Sequence, residues 1–115
     1  MSTGVDFAAA RHEASIRAKT QGSYQRHQRA LATLAGGVSS GLRRSARPYP
    51  MYYAQGSGCH LMDVDGNRFC DYTLAWGPLI LGHAPAAVSA AVAAQARRGL
   101  TFGAQHDLEY EVAEL

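Results

Sequence analysis

Two short runs rich in aromatic and aliphatic residues, Cys59–Val64 and Arg68–Tyr72, meet across Asp65-Gly66-Asn67. Only a tight reversal joins runs this short, and Asp, Asn and Gly tolerate the positive backbone angles that such a turn needs. A third run, Met51–Ala54, precedes Gln55-Gly56-Ser57-Gly58, a second turn-forming separator. The expectation is a small antiparallel sheet. Gly66 at the turn puts Cys59 nearer Tyr72 than Cys70, which disfavours a disulfide across the hairpin. Cys59 and Cys70 are the only cysteines, so neither a zinc ribbon nor a disulfide framework is expected, and free thiols in a reducing compartment are.

Helical patterns flank this sheet. From Asp6 to about Lys19 an Ala-rich stretch carries Phe7, Ala10, Ala14 and Ile16 in an approximate helical stripe, which Gly22 interrupts. Ser23 is a candidate cap for a second helix over Tyr24–Leu34, ended by Gly36-Gly37. Residues 36–50 combine small residues, arginines and two prolines. They are too broken for a helix, and loops of this length often carry function. Thr73–Gly82 is a second apolar loop punctuated by Gly and Pro. Pro85 to Arg98 then reads as a helix with Val88 and Val92 on one face, Pro85 in its first turn, Arg97 and Arg98 at its negative end and Gly99 as its cap. Asp107 caps a last helix in which Leu108, Val112 and Leu115 recur at helical spacing. Ending on Leu115 with no stop signal, that helix reads as part of a longer chain.

At 115 residues and 12.3 kDa the chain has room for one small domain. Its apolar fraction of 47% and charged fraction of 17% fit a soluble globular protein better than a disordered one. No run approaches the roughly 18 apolar residues of a membrane span, and the first 30 residues lack the apolar core of a secretory signal. That Arg-bearing, acid-poor start has the look of a transit peptide, but an ordinary amphipathic helix accounts for it. The expected location is the cytoplasm. Charge is uneven: residues 1–50 carry eight basic and two acidic groups, residues 51–115 three basic and seven acidic. Arg11, Arg17, Lys19, Arg26 and Arg29 have only Tyr24 interleaved, which suits a solvated helix face better than a nucleic-acid surface.

Other chemistries find no pattern. Counted from Asp63, the acidic turn has Arg68 and Leu74 where a calcium loop needs Gly and Glu. Gly56-Ser57-Gly58 has Leu61 where a dinucleotide fingerprint has its third glycine. The histidines at 12, 27, 60, 83 and 106 never fall three or four apart, as a metal site on a helix face requires. No G-x-S-x-G elbow exposes a serine. The arginine loop over 36–47 and Trp76 beside Gly77-Pro78 are left. A lone Trp among apolar residues is usually core and a loop arginine usually solvated, so composition alone leaves both readings open.

Taken in order, Gly36-Gly37-Val38-Ser39-Ser40-Gly41-Leu42-Arg43, then Asp63-Val64-Asp65-Gly66-Asn67-Arg68-Phe69-Cys70-Asp71-Tyr72, then Trp76-Gly77-Pro78-Leu79-Ile80-Leu81-Gly82-His83 and Thr101-Phe102-Gly103-Ala104, resemble the class III aminotransferases. Within that family they most resemble the glutamate-1-semialdehyde 2,1-aminomutases. The resemblance runs from about Leu34 to Leu115. It implies an α/β pyridoxal-phosphate-dependent transferase of fold type I, acting as a homodimer on a small amino-acid substrate. This chain would supply the N-terminal α+β segment: helices, a small antiparallel sheet, then helix.

The helical patterns make residues 1–35 an N-terminal helical arm; by the same resemblance, 36–50 would form a substrate-binding loop, 51–82 the small sheet and its loop, and 83–115 the helices leading into a large domain. Ser40 and Arg43 would belong to the substrate-binding loop, with Arg43 gripping a carboxylate. A guanidinium suits that role because it is always charged and presents a rigid fork of donors. Trp76 would line the substrate side of the cofactor pocket. Ser39 stands where the mutase pattern usually has Asn, Gly41 where it has Pro, Pro85-Ala86 where it has His-Pro and Gln105-His106 where it has Pro-Thr. A related aminotransferase acting on a β-amino acid or an arylglycine is therefore a live alternative. The family places its Schiff-base lysine and other cofactor-binding groups beyond residue 115. The one lysine here, Lys19, lies outside the resembling region, so the chain alone is expected to be inactive, with no catalytic, cofactor-binding or metal-binding residue of its own. The alternative reading is a non-catalytic fragment or interaction module, presenting apolar Thr73–Leu81 and Leu108–Leu115 or its basic front. Neither nucleic acid nor membrane is expected as a partner.

Overall fold

A single residue, Thr20, separates the first two helices, α1 (Gly4–Lys19) and α2 (Gln21–Leu31). The computed structural model describes residues 4–115, so the first three residues of the expected arm lie outside it. The second helix starts and ends three residues earlier than the sequence suggests. Gly22 does not interrupt it but sits in its first turn, and Ser23 is not its cap. The reason lies in another part of the chain. The side chain of Thr20, at the N-cap position, makes no capping bond and instead bonds the Ile16 carbonyl (2.7 Å) and the Tyr49 hydroxyl (2.9 Å). Asp65, forty-odd positions on, supplies the missing acceptors: its Oδ1 takes the Gly22 N–H (2.6 Å) and its Oδ2 the Ser23 N–H (3.2 Å). A carboxylate there also meets the positive end of the helix dipole.

Asp65 reaches this position from the expected hairpin. Strands β1 (Tyr53–Ser57), β2 (His60–Asp63) and β3 (Arg68–Cys70) form an antiparallel sheet in the order β1-β2-β3. The β2–β3 turn closes with Gly66 N–H on the Asp63 carbonyl (3.2 Å) and Asp63 N–H on the Asn67 carbonyl (3.0 Å), with Gly66 at φ +84°. Such a three-residue loop ends in a glycine bulge. Asp63 is 1% exposed. Its carboxylate accepts from Asp65 N–H (3.0 Å), Asn67 N–H (2.7 Å) and Asn67 Nδ2 (2.8 Å). Asn67 Nδ2 also donates to the Lys19 carbonyl (2.8 Å), so the turn grips the end of α1 as well as the start of α2. Ser23, fully buried, accepts Tyr52 N–H (3.1 Å) and fixes the approach to β1.

The register is His60↔Cys70, which places Cys59 opposite Asp71 rather than near Tyr72. The bulged loop centres the reversal on Asp65 rather than Gly66, which brings Cys59 closer to Cys70 than expected. Both cysteines are free and exposed. Strand β1 takes Gln55–Ser57, which the sequence assigns to a turn, and leaves only Gly58-Cys59 to reverse the chain. Gly56 is tolerable inside the strand because the His83 ring lies over it: a Cβ there would come within 2.6 Å of His83 Cγ. The 36–50 segment is more ordered than expected, with one-turn 3-10 helices at Ala35–Gly37 and Gly41–Ser45.

After Cys70 the chain makes a loop that returns to the sheet at His83. His83 exchanges two backbone hydrogen bonds with Gly58 (3.0 and 2.8 Å), and its Nε2 meets Asp71 Oδ2 at 2.7 Å. Asp71 Oδ1 accepts Thr73 N–H (2.8 Å) and Leu74 N–H (3.1 Å). The hydrogen bond from His83, followed by that from Thr73, holds the Asp71 carboxyl below its ordinary value. Between these anchors Leu74, Ala75 and Trp76 all have positive φ, at 49°, 50° and 68°. Each costs roughly 1–2 kcal/mol for a residue with a Cβ.

The chain divides into two units, one ending at His83 and one running from Ala84 to Leu115. The second contains α3 (Ala86–Ala96) and α4 (Leu108–Ala113). Pro85 is the N-cap of α3 rather than a first-turn residue, and Gly99, at φ +110°, follows its end. Asp107 is the N-cap of α4 but makes no side-chain bond there. His106 replaces it: its Nδ1 accepts Leu108 N–H (3.1 Å), while Glu109 accepts His106 N–H (2.9 Å).

Among the described residues only Tyr49, 4% exposed, and the adjacent Pro50 are buried apolar side chains. The chain exposes 9186 Å², against about 6,100 Å² for a folded monomer of this mass. Val88, Val92, Leu108 and Val112, which carry the helical patterns of the sequence, remain exposed. Polar contacts therefore hold the first unit together.

Two outcomes follow for urea unfolding of this chain. Asp65→Ala lowers stability by about 1 kcal/mol, the usual value of a helix cap. Gly22→Ala destabilises the unsubstituted chain, since its Cβ would stand 2.8 Å from Asp65 Oδ1; in the Asp65→Ala background the same change stabilises by up to about 1 kcal/mol, because alanine is the better helix former. For Asp71 the folded pKa lies below the unfolded one. Its stabilisation is complete above the unfolded value of about 4 and disappears as pH falls through the folded value. The stability difference between the unsubstituted chain and Asp71→Asn is thus present above the ordinary carboxylate range and closes as pH falls below that range through the lowered folded value.

Candidate functional site

The substrate-loop residues identified by resemblance sit in the segment between α2 and β1. Gly36 and Gly37, at φ +67° and +71°, turn the chain after α2, and Val38 and Ser40 are extended. The Ser40 carbonyl accepts Arg43 N–H (3.0 Å) and opens the short 3-10 helix that carries Arg43. Arg43 Nη1 donates to Ser39 Oγ (2.9 Å). Its guanidinium has no ion pair among the described residues. Ser39 and Arg43 line one cleft of ≈ 430 Å³, with Leu34, Val38, Met51 and Tyr52 among its walls. A cation with spare donors beside apolar walls suits a carboxylate on a small body. The neighbouring Arg44 differs: its side chain lies over Gly36, where a Cβ would come within 3.2 Å of its Cδ.

The structure does not bring all three residues identified from the sequence into that cleft. Ser40 is half-buried and contributes its carbonyl, not its hydroxyl, to the loop; neither it nor Trp76 lines the cleft. Trp76 is 83% exposed and ends the left-handed turn within the Asp71–His83 loop. Sequence reasoning assigned no role to Ser39, the hydroxyl partner of Arg43, or to Asp71 and His83. Ser39 stands four residues before Arg43, a spacing open to inspection, whereas Asp71 and His83 meet only because the loop between them closes.

Tyr53 joins the same electrostatic neighbourhood. Partial burial, then the charges of Asp71 and Asp63, push its phenol above the ordinary value, so it stays a neutral donor at any physiological pH. Among the described residues no group of three or more His, Cys, Asp and Glu is arranged to hold a metal ion, and no helix is long and apolar enough to cross a membrane.

A pyridoxal-phosphate site needs a lysine, a carboxylate for the pyridine nitrogen and donors for the phosphate. These 115 residues do not present that set. Lys19 is the one lysine of the sequence. It ends α1 and lines a different cleft of ≈ 410 Å³, together with His12, Arg47 and Phe69. The carboxylates of Asp63, Asp65 and Asp71 are occupied by backbone and side-chain donors.

Comparison with known proteins fits this partial site. The chain is 50% identical over 88 residues to the glutamate-1-semialdehyde 2,1-aminomutase of Chloroflexus aggregans, covering 75% of this chain and 20% of that protein. The chain thus spans about a fifth of the length of the curated relatives it matches. In fold it superposes on a transaminase solved with PLP bound, at a TM-score of 0.77 and 36% identity, covering 83% of this chain and 22% of that one. A glutamate-1-semialdehyde aminomutase from Pseudomonas aeruginosa PAO1 shares the fold at a TM-score of 0.82 and 24% identity, over 90% of this chain and 23% of that one. The helices and three-stranded antiparallel sheet are thus a segment of the pyridoxal-phosphate transaminase architecture. The aminotransferase class-III family model matches residues 42–114, the stretch that holds Arg43, the Asp63–Asn67 turn and the Asp71–His83 loop, and the chain belongs to that family.

Proposed function

We propose that this chain is the substrate-gripping N-terminal segment of a pyridoxal-phosphate-dependent aminotransferase or aminomutase acting on a small amino acid, of the glutamate-1-semialdehyde type. Arg43 carries this reading. It is a guanidinium without an ionic partner among the described residues, on the wall of a cleft, in a chain of this family. Its role is to hold the substrate carboxylate, with Ser39 Oγ fixing one end of the fork. Ser40 shapes the loop through its carbonyl, and Trp76 gives the substrate a flat apolar wall. The cofactor supplies an electron sink when bound, and its lysine, carboxylate and phosphate donors come from outside these 115 residues. We assign the arm to 1–35, the substrate loop to 36–50, the sheet and its loop to 51–82 and the connecting helices to 83–115. The assembled enzyme is proposed to be a cytoplasmic homodimer.

A second reading has its own observation. Lys19 is the one lysine, and Trp76, Ile80, Leu81, Leu108, Val112 and Leu115 are exposed, as expected of a non-catalytic fragment that associates through Thr73–Leu81 and Leu108–Leu115. Titrating the 115-residue chain with pyridoxal phosphate tests its capacity alone. The expected result is no saturable absorbance change beyond that of a Lys19→Arg control.

For the enzyme reading, Arg43→Ala in the complete polypeptide lowers kcat/KM for the amino-acid substrate by more than about tenfold, because a lost hydrogen bond to a charged group is worth ~1.5–3 kcal/mol. Arg43→Lys, which keeps the charge but not the fork, falls between the two. Unchanged steady-state kinetics in both variants would remove Arg43 from the site.

A further inference from the structure

An unbroken path of hydrogen bonds runs from His83 to Trp76. His83 Nε2 lies 2.7 Å from one oxygen of Asp71. The other oxygen of Asp71 accepts Thr73 N–H and Leu74 N–H. The Thr73 carbonyl then accepts Trp76 N–H (2.9 Å), and the Leu74 carbonyl accepts Gly77 N–H (3.0 Å) and Leu79 N–H (3.3 Å). His83 is itself fixed: its backbone is paired with Gly58, and Gly56 has no Cβ to lift its ring. Gly82 serves the same closure, since a Cβ there would stand 2.6 Å from the Gly58 carbonyl oxygen.

This path ends on the most strained backbone of the chain. Leu74, Ala75 and Trp76 occupy left-handed angles in succession, and three such residues persist only where the surroundings over-determine them. Burial does not hold Trp76, which is 83% exposed. The constraint comes from below, where Asp71 is 6% and His83 19% side-chain exposed.

We infer that His83 and Asp71 are positioning residues: their pair clasps the loop shut, keeps the 74–76 turn left-handed and so aims the Trp76 indole. This rests on the reading of Trp76 as a substrate wall. The two are separable, because the aim of the indole is measurable without substrate. With the His83 donor gone, Asp71 loses its anchor, residues 74–76 relax toward ordinary angles and the indole moves independently of the sheet.

Trp76 is the single tryptophan of the chain, so its fluorescence reports this loop alone. Time-resolved anisotropy is compared among the unsubstituted chain, His83→Leu, which fills the space without a donor, and His83→Gln, whose amide donates from near the Nε2 position. The expected result is a gain in the amplitude of the fast nanosecond component in His83→Leu and its return toward the original value in His83→Gln. Fast amplitudes equal in all three, or raised equally in both variants, overturn the assignment. Should His83→Leu lose its far-UV signal, acid titration of the unsubstituted chain decides. The fast component must rise as Asp71 is protonated, below the ordinary carboxylate range, while the far-UV signal persists; a flat profile overturns the clasp. In the complete enzyme His83→Leu raises KM several-fold and His83→Gln restores it. If Trp76→Ala leaves KM unchanged while the anisotropy behaves as expected, the clasp stands and the substrate-wall reading of Trp76 falls.

Discussion

The first unit depends on the acidic turn at residues 63–67. Asp63 points inward and organises the turn through three donors, Asp65 points outward and caps α2, and Asn67 bridges the turn to the last carbonyl of α1. With Tyr49 and Pro50 the only buried apolar side chains among the described residues, the chain has little hydrophobic stabilisation to draw on. Helix ends and turns carry unsatisfied backbone groups that must be paired somewhere. Here each element satisfies the other: the turn needs donors, the helix start needs acceptors, and a single contact meets both needs. Burial of Asp63 is tolerable because its charge is spread over three N–H groups rather than left bare.

The same arrangement recurs at Asp71, whose two oxygens close the second loop. Asp63, Asp65 and Asp71 therefore fall within nine positions and all act as backbone organisers. That explains why the basic front half is not neutralised by the acidic back half in the manner net charge suggests. Among the described residues the one arginine ion pair is Arg17 with Glu13, on a single exposed helix face, where it is worth a few tenths of a kcal/mol. Carboxylates of the turns are taken up by N–H groups, and Arg43 is left without an ion pair among the described residues.

How much of this was legible in the sequence can be judged residue by residue. The hairpin around Gly66 was readable because its signal is local: a glycine at φ +84° between two strands. The helix ends were less so. Ser23 looks like a cap by type and position, yet its hydroxyl bonds Tyr52 in the approach to β1, while the cap comes from Asp65. No window along the sequence contains both Gly22 and Asp65. Gly56 misled for a related reason: it reads as a turn residue, but it lies in a strand under the His83 ring. Arg43 was identified by resemblance alone, since nothing local separates it from Arg44. The structure separates them, one on a cleft wall and the other over a glycine.

The family match over residues 42–114 omits both α1 and α2, yet it contains the turn that docks them. The contacts across that boundary are made largely to the backbone of the helices. Asp65 binds the backbone N–H groups of Gly22 and Ser23, and Asn67 binds the backbone carbonyl of Lys19. Backbone groups are present whatever the side chain, so the docking constrains only residues that must be small or polar for close approach: Gly22 beneath Asp65, Ser23 opposite Tyr52 and Thr20 against Tyr49. Arg11, Arg26 and Arg29 of α1 and α2 take no part in these contacts. The turn therefore seats the arm through backbone groups at the junction around Thr20–Ser23. The loop that carries Arg43 begins just after that arm and inherits its position from the same junction.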